Sequence, residues 1–521
     1  MELTAEKIWQ LYQNDISYKS NIELYDKVKN RENMFIGRQW EGLIAPDLEK
    51  PVLNVIKRVA NYLISVLLVN DVGISFRDSR PPASAEGQVL ESVPMADISD
   101  WQDIIADQME IINENVGFRD KLRYVLRDAV VRGDGAIYTR FEPGEKGGGK
   151  ILRELVDNTH IHFANQISPY VEEQPYIIIS RSELTASLKE QFPEFEDEIK
   201  PDFSMRDSFA DEKTSREYTT VLVYLHKVKG KVHFCECTQN CMLKGDTDSG
   251  LTLYPLAFFN WERVKDCYHG IGAVEEIIPN QVAINKLWAL ALIHAKNMAF
   301  PKIFYDKTKL EKWTNKVGAA IGVIGNPNEA IASSFKGYDM SAQVLQLVDQ
   351  TVSYTKEFMG ANDAALGNVN PNNTSAIIAL QKGSSRPLEL QRQSFYRFIE
   401  DYVRIVYEIM RKKYGMRYVK DPANPGMARL VDFSQLPEPE QVIVDIGAAD
   451  YWSEITQTAT MDNLYRNGIL TDRLTYIESI PDKNIKNKEK IVAAIRQAQR
   501  QRKLQAEQQA EAETRQMIMQ E

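Results

Sequence analysis

Cysteine and histidine are the side chains of this sequence most able to bind a metal. Three of the four cysteines, Cys235, Cys237 and Cys241, lie in the run CECTQNC, with His233 just before it and Cys267 further along the chain. A C-x-C-x3-C run matches none of the common spacings of zinc ligands. So few cysteines also cannot form a disulfide framework. We therefore interpret the run as reduced thiols in a β-hairpin.

Two histidines and a carboxylate pair are the other candidates for chemistry. His160 and His162 flank a single residue, which places both on one face of a strand, but no third ligand follows at a matching spacing. Glu275 and Glu276 begin a helical pattern, where the helix dipole favours acidic residues in any case. The sequence contains no G-x-x-x-x-G-K-[ST] loop, no G-x-G-x-x-G after a strand and no H-E-x-x-H. We predict no catalytic residue, no metal site and no cofactor, and hence not an enzyme.

Length and composition limit the class of protein and the number of domains. A chain of 521 residues with 43% hydrophobic and 26% charged residues is typical of a globular protein with two or more domains. The most apolar stretch, VANYLISVLLVN (59–70), is too short to cross a bilayer and predicts a buried helix. The opening residues do not resemble a signal peptide, and we expect assembly in a cytoplasm. A net charge of −10 argues against a monomer that wraps DNA with a basic face, although an acidic channel wall past which DNA slides remains compatible.

The elements that would position any site alternate between helical and β-rich segments. Helical spacing predicts a helix from residue 3 that ends at Gly37, and β-branched runs predict strands over most of residues 136–260. These include a hairpin, YTTVLVYLHKVKGKVHFCECTQ, that turns at KGK. The stretch SRSEL suggests a helix that starts at a capping box. The glycine-rich stretches RGDGAIY and EKGGGK predict turns, the first after a helix that ends at Gly133.

The middle of the chain has an unusual order of elements. A long helical pattern with Pro279 near its start precedes a small glycine-containing module. A second helical pattern then ends at Gly360, and the two helices could return antiparallel. The stretch LGNVNPNNTSAIIALQKGSSRP (366–387) follows, and its first half has no hydrophobic period. A further helix runs to about Tyr414, with a kink expected near Pro387. Strands, two short helices separated at Gly468 and a polar helical tail complete the chain.

This order resembles the portal, or head–tail connector, proteins of tailed bacteriophages, from about Asp26 to Pro481. The local likeness lies in ENMFIGRQWEG, KPVLNVIKRVANYL and GIGAVEEIIPNQVAINKLW, and in the loop with the helix that follows it. The residues that match the family pattern are Phe35, Gly37, Gln39, Trp40, Pro51, Val52, Leu53, Asn54, Gly270, Gln281 and Asn285. The sequence departs from the commonest pattern at the loop, where Thr374 and Ser375 replace Ser-Gly.

The resemblance implies an α+β, portal-type fold assembled as a ring, typically of twelve subunits. Its parts would be a wing of helices and β-sheet, antiparallel stem helices, a small α/β clip, and a helical crown. The implied ranges are 1–270 and 377–450 for the wing, 271–300 and 341–360 for the stem, 301–340 for the clip, 361–376 for the tunnel loop, and 451–521 for the crown and tail.

The same resemblance implies a location at one capsid vertex of the virion, with double-stranded DNA passing through the ring. Implied partners are the large terminase subunit, major capsid and scaffolding proteins, and a head-completion or tail adaptor protein. The implied DNA contacts are Asn362, Asn368, Asn370, Asn372 and Asn373. The implied clip contacts are Lys307, Lys309, Lys312 and Lys316. A metal-dependent phage nuclease and an adaptor that forms no ring of its own are the alternatives.

Overall fold

The computed structural model describes most of the chain up to residue 449 and short pieces beyond it. The described residues are 3–45, 48–68, 71–78, 101–115, 117–144, 149–206, 215–299, 303–310, 312, 314, 321–326, 328, 332–334, 342–361, 386–420, 428–438, 442–449, 461–468, 476–477, 480, 491–492 and 494–495.

Helices and antiparallel sheets both contribute, so that the α+β class is confirmed. The helices are α1 Ala5–Asn21, α2 Leu24–Ile36, α3 Val55–Leu68, α4 Trp101–Asn115, α5 Phe118–Arg132, α6 Thr185–Gln191, α7 Ala273–Ala299, α8 Ala342–Phe358 and α9 Glu389–Lys413. The strands are β1 Asp71–Asp78, β2 Asp134–Pro143, β3 Gly149–Leu155, β4 Ile161–Phe163, β5 Tyr176–Leu184, β6 Phe203–Arg206, β7 Ser215–Val228, β8 Lys231–Cys237, β9 Met242–Asp248, β10 Leu256–Asn260, β11 Ile303–Tyr305, β12 Ala332–Ser334, β13 Met416–Lys420, β14 Ala428–Asp432 and β15 Val442–Ala449.

The chain forms two compact units. The first contains Met1–Leu67, Arg119–Arg140 and Arg153–Phe398. The second contains Leu68–Phe118, Phe141–Leu152 and Ile399–Glu521. Within the described ranges, no helix combines the length and the apolar character needed to cross a bilayer.

The first unit is built on a six-stranded antiparallel sheet in the order β4-β5-β7-β8-β9, with β6 beside β7. Side chains alternate between its two faces, as the period of a strand requires. One face carries Ile178, Leu222 and Cys235, which pack against Ile8 of α1. The other face carries Val221, which joins a cluster around α6 and the segment after it. Both faces of β7 are therefore buried, as its continuous apolar run predicts.

The hairpin turn KGK is confirmed. Lys229 and Gly230 have φ angles of 51° and 80°, and Val228 pairs with Lys231. Positive φ at both central residues is the mark of a type I′ turn, whose twist matches that of the flanking strands.

The capping box predicted in SRSEL is wrong. β5 continues through Ser180 and Ser182 to Leu184, and α6 begins only at Thr185. β5 pairs with β7 along its whole length, from Tyr176 to Leu184. This ladder, together with burial of the isoleucines at the start of β5, outweighs the local signal of a serine and a glutamate at helical spacing.

The first predicted helix is divided in two. α1 ends at Asn21 and α2 begins at Leu24, with Glu23 in the left-handed region at φ 57°. The predicted end of the pattern is confirmed, because Gly37 closes α2 with φ 97°.

The glycines of RGDGAIY and GIGAVEE allow two backbone segments to lie very close to each other. Gly133 ends α5 as predicted, with φ 111°, and a Cβ there would lie 2.3 Å from the carbonyl oxygen of Gly270. A Cβ on Gly272 would lie 2.6 Å from the carbonyl oxygen of Val130. Only glycine allows the end of α5 to meet the entry to α7 at these distances.

The two predicted long helices of the middle segment are α7 and α8, and they pack against each other. Asn280 near the start of α7 donates a hydrogen bond from Nδ2 to Thr355 Oγ1 near the end of α8, at 3.1 Å. Between the helices, β11 pairs antiparallel with β12. The chain therefore leaves along α7, turns through this short ribbon and returns along α8. Pro279 lies inside α7 rather than at its start.

The helix predicted to run to about Tyr414 is α9, which ends at Lys413. Pro387 lies in a 3₁₀ turn, Arg386–Leu388, directly before α9. Residues 362–385 lie outside the described residues, so the kink expected near Pro387 stays a prediction.

The second unit is held together by distant parts of the chain. β1 pairs with β15 in an unbroken antiparallel register from Asp71↔Ala449 to Asp78↔Val442. The rings of Phe118 and Tyr402 stack at 4.4 Å. β13 and β14 form the other ribbon of this unit. Further on, a short helical turn ends at Gly468 with φ 71°, as predicted.

Candidate functional site

The first half of α7 is fixed to the N-terminal helices by a buried glutamine. Gln281 Oε1 accepts hydrogen bonds from the backbone N–H groups of Val55, at 2.9 Å, and Ile56, at 3.3 Å. Its Nε2 donates to the carbonyl of Leu53 at 2.8 Å. The first N–H groups of a helix have no partner within the helix. Gln281 therefore supplies a cap for α3 from a distant part of the chain.

A chain of side-chain amides extends this contact. Gln281 Nε2 also donates to Asn285 Oδ1 at 2.9 Å, because residues four apart lie on the same face of a helix. Asn285 Nδ2 donates to Gln39 Oε1 at 2.6 Å, and Gln39 Nε2 donates to the carbonyl of Met34 at 2.9 Å. These hydrogen-bonded amides join α7 to the end of α2.

Two more residues of the N-terminal pattern complete the arrangement. Trp40 Nε1 donates to the carbonyl of Pro51 at 2.8 Å. Asn54 Nδ2 donates to the carbonyl of Phe35 at 3.0 Å, and its Oδ1 accepts from the backbone N–H of Lys57 at 2.9 Å. We call Gln39, Trp40, Asn54, Gln281 and Asn285 the amide anchor. All five were singled out in the sequence, and the structure brings them together.

A buried arginine holds the entry to α7. Arg31 Nε donates to Glu275 Oε2 at 2.5 Å, and its Nη1 donates to the carbonyl of Arg132, the last residue of α5, at 2.8 Å. Glu275 lies in the first turn of α7, where the helix dipole favours a negative charge. Arg31 thus joins the acidic start of one helix to the carbonyl end of another.

Beyond the anchor, α7 and α8 expose large apolar side chains. Leu290 is 60% exposed, Leu347 is 49% exposed and Phe358 is 84% exposed. The exposed apolar side chains of the pair are Trp288, Leu290, Leu292 and Met298 in α7 and Leu345, Leu347, Tyr354 and Phe358 in α8. We call these residues the apolar faces. Large exposed apolar side chains that form one patch are typical of interaction sites.

Strand β11, which lies between α7 and α8 in the chain and pairs with β12, is also exposed. All three residues of β11 are exposed, and Phe304 is exposed by 61%. A two-stranded ribbon is only marginally stable alone and offers unpaired edges to a further strand.

The lysines predicted for the clip follow this ribbon. Lys307 and Lys309 lie in a turn in which Asp306 Oδ1 accepts from the N–H of Thr308 at 2.9 Å. Lys307 and Lys312 are exposed and Lys309 is half-buried. Lys316 lies outside the described residues.

The helical pattern of α8 stops at Gly360 as expected, two residues after Phe358 and with φ 70°, and the predicted loop follows in the sequence. Asn362, Asn368, Asn370, Asn372 and Asn373 lie outside the described residues.

Comparison with known families decides the identity of the chain. The model of the phage P22-like portal protein family matches residues 10–415. The chain belongs to this family. The match covers 406 of the 521 residues and includes the amide anchor, both apolar faces and the loop. Among curated proteins, no sequence matches the chain.

The predicted function as a phage portal protein is thereby confirmed. A portal protein is a structural component of the virion, and it acts as an oligomeric ring at a capsid vertex with partners in genome packaging. The comparison gives no support to the nuclease or the adaptor alternative.

The paired histidines of this portal protein belong to a buried polar network. His162 Nδ1 lies 2.7 Å from Asp15 Oδ2, and the hydroxyl of Tyr268 donates to the same oxygen at 3.0 Å. Burial lowers the pKa of His162 to about 3. His160 and His162 both contact Ser180 Oγ, at 3.0 and 3.3 Å.

Lys19 of α1 lies at the centre of this network. Its ammonium group donates to the backbone carbonyls of Thr159 at 3.0 Å and Ile161 at 2.5 Å, and burial lowers its pKa to about 8. Burial raises the pKa of Asp15, but the hydrogen bond to His162 and the charge of Lys19 outweigh this effect, so that the pKa lies below its usual value. The network ties α1 to the start of β4.

The interpretation of the cysteines as thiols in a hairpin is confirmed. Cys235, Cys237 and Cys241 are free and buried, and the first two lie in β8. Burial raises the pKa values of Cys235 and Cys237 to about 12, so that both remain thiols at neutral pH.

The sequence did not reveal one cluster near these thiols. His226, His233 and Asp246 come together on three neighbouring strands. The signal for the histidine pair was present in the predicted KGK turn, because pairing outwards from a two-residue turn places His226 opposite His233. The position of Asp246 depends on a register shift that the pattern does not reveal.

Proposed function

We propose that this portal protein assembles as a ring of twelve subunits through which double-stranded DNA passes during packaging and ejection. The observation that carries the proposal is the pair of apolar faces on α7 and α8. In a single chain the side chains of these faces are 37–84% exposed, and packing against the next subunit would remove the exposed part from water. The amide anchor holds the start of α7 in a fixed direction, so that each subunit would present the same surface to its neighbour. A repeated contact of this kind closes into a ring.

The proposed division of the chain follows from this arrangement. Residues 1–270 and 377–450 form the wing, 271–300 and 341–360 the stem, and 301–340 the clip. Residues 361–376 form the tunnel loop and 451–521 the crown and tail.

The clip is the proposed docking surface for packaging partners. Its exposed β11–β12 ribbon offers strand edges to neighbouring clips, and Lys307, Lys309, Lys312 and Lys316 offer positive charge. The large terminase subunit would dock here first, and a head-completion or tail adaptor protein would replace it after packaging. Major capsid and scaffolding proteins would contact the ring as it is built into the capsid in the host cytoplasm.

The channel is proposed to allow DNA to slide rather than to bind it tightly. Twelve chains of charge −10 would carry a formal charge of about −120, which repels phosphates. Asparagine side chains at Asn362, Asn368, Asn370, Asn372 and Asn373 can hydrogen-bond phosphate oxygens without the salt-dependent attraction of lysine or arginine.

The tunnel loop has a direct test that keeps the ring intact. Deletion of Gly367–Asn373 should leave rings of normal size in electron micrographs but impair packaging or retention of DNA. As a control, replacing the same seven residues by glycine and serine preserves the length of the loop and removes its amides. Packaging at the normal level in the deletion variant would contradict a role of the loop in contacting DNA.

A further inference from the structure

Two histidines and an aspartate meet at one end of the six-stranded sheet. His226 of β7 and His233 of β8 are directly opposite each other, with ring centroids 5.6 Å apart. Asp246 of β9 places Oδ1 3.7 Å from His226 Nε2 and Oδ2 3.3 Å from His233 Nδ1. One possible ligand atom from each residue lies within 4.8 Å of the other two. Three strands thus contribute one ligand each.

A β-bulge positions the aspartate. The register between β8 and β9 shifts by one residue between Phe234 and Glu236, so that Gly245 and Asp246 together lie opposite Cys235. Bulges re-aim side chains and often occur beside functional sites. Here the carboxylate faces the two imidazole rings.

The imidazole rings have unused hydrogen-bonding capacity. His233 Nδ1 is buried and accepts or donates no hydrogen bond of good geometry, and Asp246 Oδ2 lies 3.3 Å from it. His226 turns its other ring nitrogen, Nε2, toward Asp246, and its buried Nδ1 has no hydrogen-bond partner among the described residues. Buried polar atoms without a partner are uncommon and costly in folded proteins. A metal ion can be coordinated by an imidazole nitrogen whose lone pair accepts no hydrogen bond.

We propose that His226, His233 and Asp246 bind one divalent transition-metal ion, with Zn²⁺ as the ion that fits this ligand set best. Imidazole nitrogen with one carboxylate suits zinc, whereas Mg²⁺ and Ca²⁺ prefer oxygen ligands throughout. Ligand atoms bound at about 2.0–2.1 Å in a tetrahedral zinc site lie roughly 3.4 Å apart. The distances of 3.3 and 3.7 Å from Asp246 to the two histidines are already close to this value.

The site has three protein ligands and one open position. Asp246 has a side chain that is 42% exposed, so that solvent reaches the site from its side. Water would occupy the fourth position of a tetrahedral ion. The bound ion would tie β7, β8 and β9 together beside the type I′ turn. This inference does not depend on the subunit number or on the path of DNA.

The test uses the full-length chain without a histidine tag, freed of metal by a chelator and dialysed against Zn²⁺. We expect one Zn²⁺ bound per chain and a melting temperature that rises with Zn²⁺. Asp246→Asn and His233→Gln should each weaken Zn²⁺ binding at least tenfold and abolish the rise. Excess Mg²⁺ should not compete.

Glu217→Gln is the matched control, because it removes an exposed carboxylate from β7, the strand of His226, at the opposite end of that strand. Its affinity for Zn²⁺ should stay within twofold of the parent. Circular dichroism before Zn²⁺ is added verifies that each variant is folded.

Two results would overturn the proposal. The first is the absence of saturable Zn²⁺ binding by the folded parent, or equal binding by the parent and Asp246→Asn. The second comes from Co²⁺ in place of Zn²⁺, where a thiolate-to-metal charge-transfer band would assign the metal to the cysteines instead. An absorption spectrum with ligand-field bands alone supports nitrogen and oxygen ligands.

Discussion

Replacing Leu290 and Leu347 together by lysine tests the interface on which the proposed ring depends. Both leucines lie on the apolar faces, one on each helix of the pair, and they are 60% and 49% exposed in a single chain. Because they contribute little to the core of the isolated chain, the substitutions should leave its fold intact. They should act only where subunits meet.

The expected magnitude follows from the area that each leucine still exposes. Full burial of a leucine side chain contributes about 1.5–3 kcal/mol, so that roughly half of that value, about 1–1.5 kcal/mol, remains to be gained at each position. Placing a lysine there also leaves an ammonium group without a partner in an apolar contact, which costs at least about 1–3 kcal/mol more. A total near 4 kcal/mol corresponds to a roughly 1,000-fold weaker contact between neighbouring subunits.

Light scattering after size-exclusion chromatography measures the outcome at a fixed chain concentration. The parent should elute as a large ring and the double variant as monomers or small oligomers, with unchanged circular dichroism. Ile167→Lys is the matched control, because Ile167 is 61% exposed but lies in a loop outside α7 and α8. Normal rings from a folded double variant would refute the assignment of the apolar faces to the subunit interface.

Three further predictions concern the fold. Gln281→Leu removes the side-chain hydrogen bonds to Val55, Ile56 and Leu53, although the N–H of Val55 and the carbonyl of Leu53 keep a bond to each other, and it should lower the free energy of unfolding by roughly 2–4 kcal/mol in a urea titration. Gln350→Leu, on an exposed turn of α8, should change it little. Gly133→Ala should abolish soluble folded protein, because its Cβ would meet a carbonyl oxygen at 2.3 Å, whereas Gly230→Ala meets no atom within 4 Å and should cost only about 1–2 kcal/mol of backbone strain. The pKa of His162 is about 3 in the folded chain and near 6.5 when unfolded, so that the unfolded chain binds a proton first as pH falls. The free energy of unfolding should therefore fall as the pH is lowered from 6.5 to 3, by up to about 1.4 kcal/mol per pH unit. In His162→Gln this contribution to the pH dependence should disappear. An unchanged pH dependence in that variant would contradict the assignment to His162.

Local signals in the sequence predicted those elements whose ends are set by the backbone itself. Gly37, Gly133 and Gly360 end their helices in the left-handed region, where glycine has no Cβ to clash. The KGK turn was predictable because Gly230 can adopt the positive φ that a two-residue hairpin turn requires. The break at Glu23 was not predictable, because a glutamate gives no local signal for a positive φ.

Long-range hydrogen bonds account for most of what the sequence could not predict. Periodicity assigns Gln281 and Asn285 to a helix but cannot show that they cap another helix through Val55 and Ile56. Only the resemblance to portal proteins singled them out. Likewise, SRSEL carries a helix-start signal that pairing between β5 and β7 overrides. The His226–His233 pair follows from the hairpin register, whereas Asp246 lies on β9 beside a bulge, and the sequence pattern predicted neither the pairing of that strand nor its register.

The mass of the native assembly tests the central claim most directly. Twelve chains of 59.6 kDa make a ring of about 715 kDa. Native mass spectrometry of the purified full-length protein should show this species, and electron micrographs of the same sample should show rings with an axial hole. A single 59.6 kDa species that persists at high protein concentration would contradict the account.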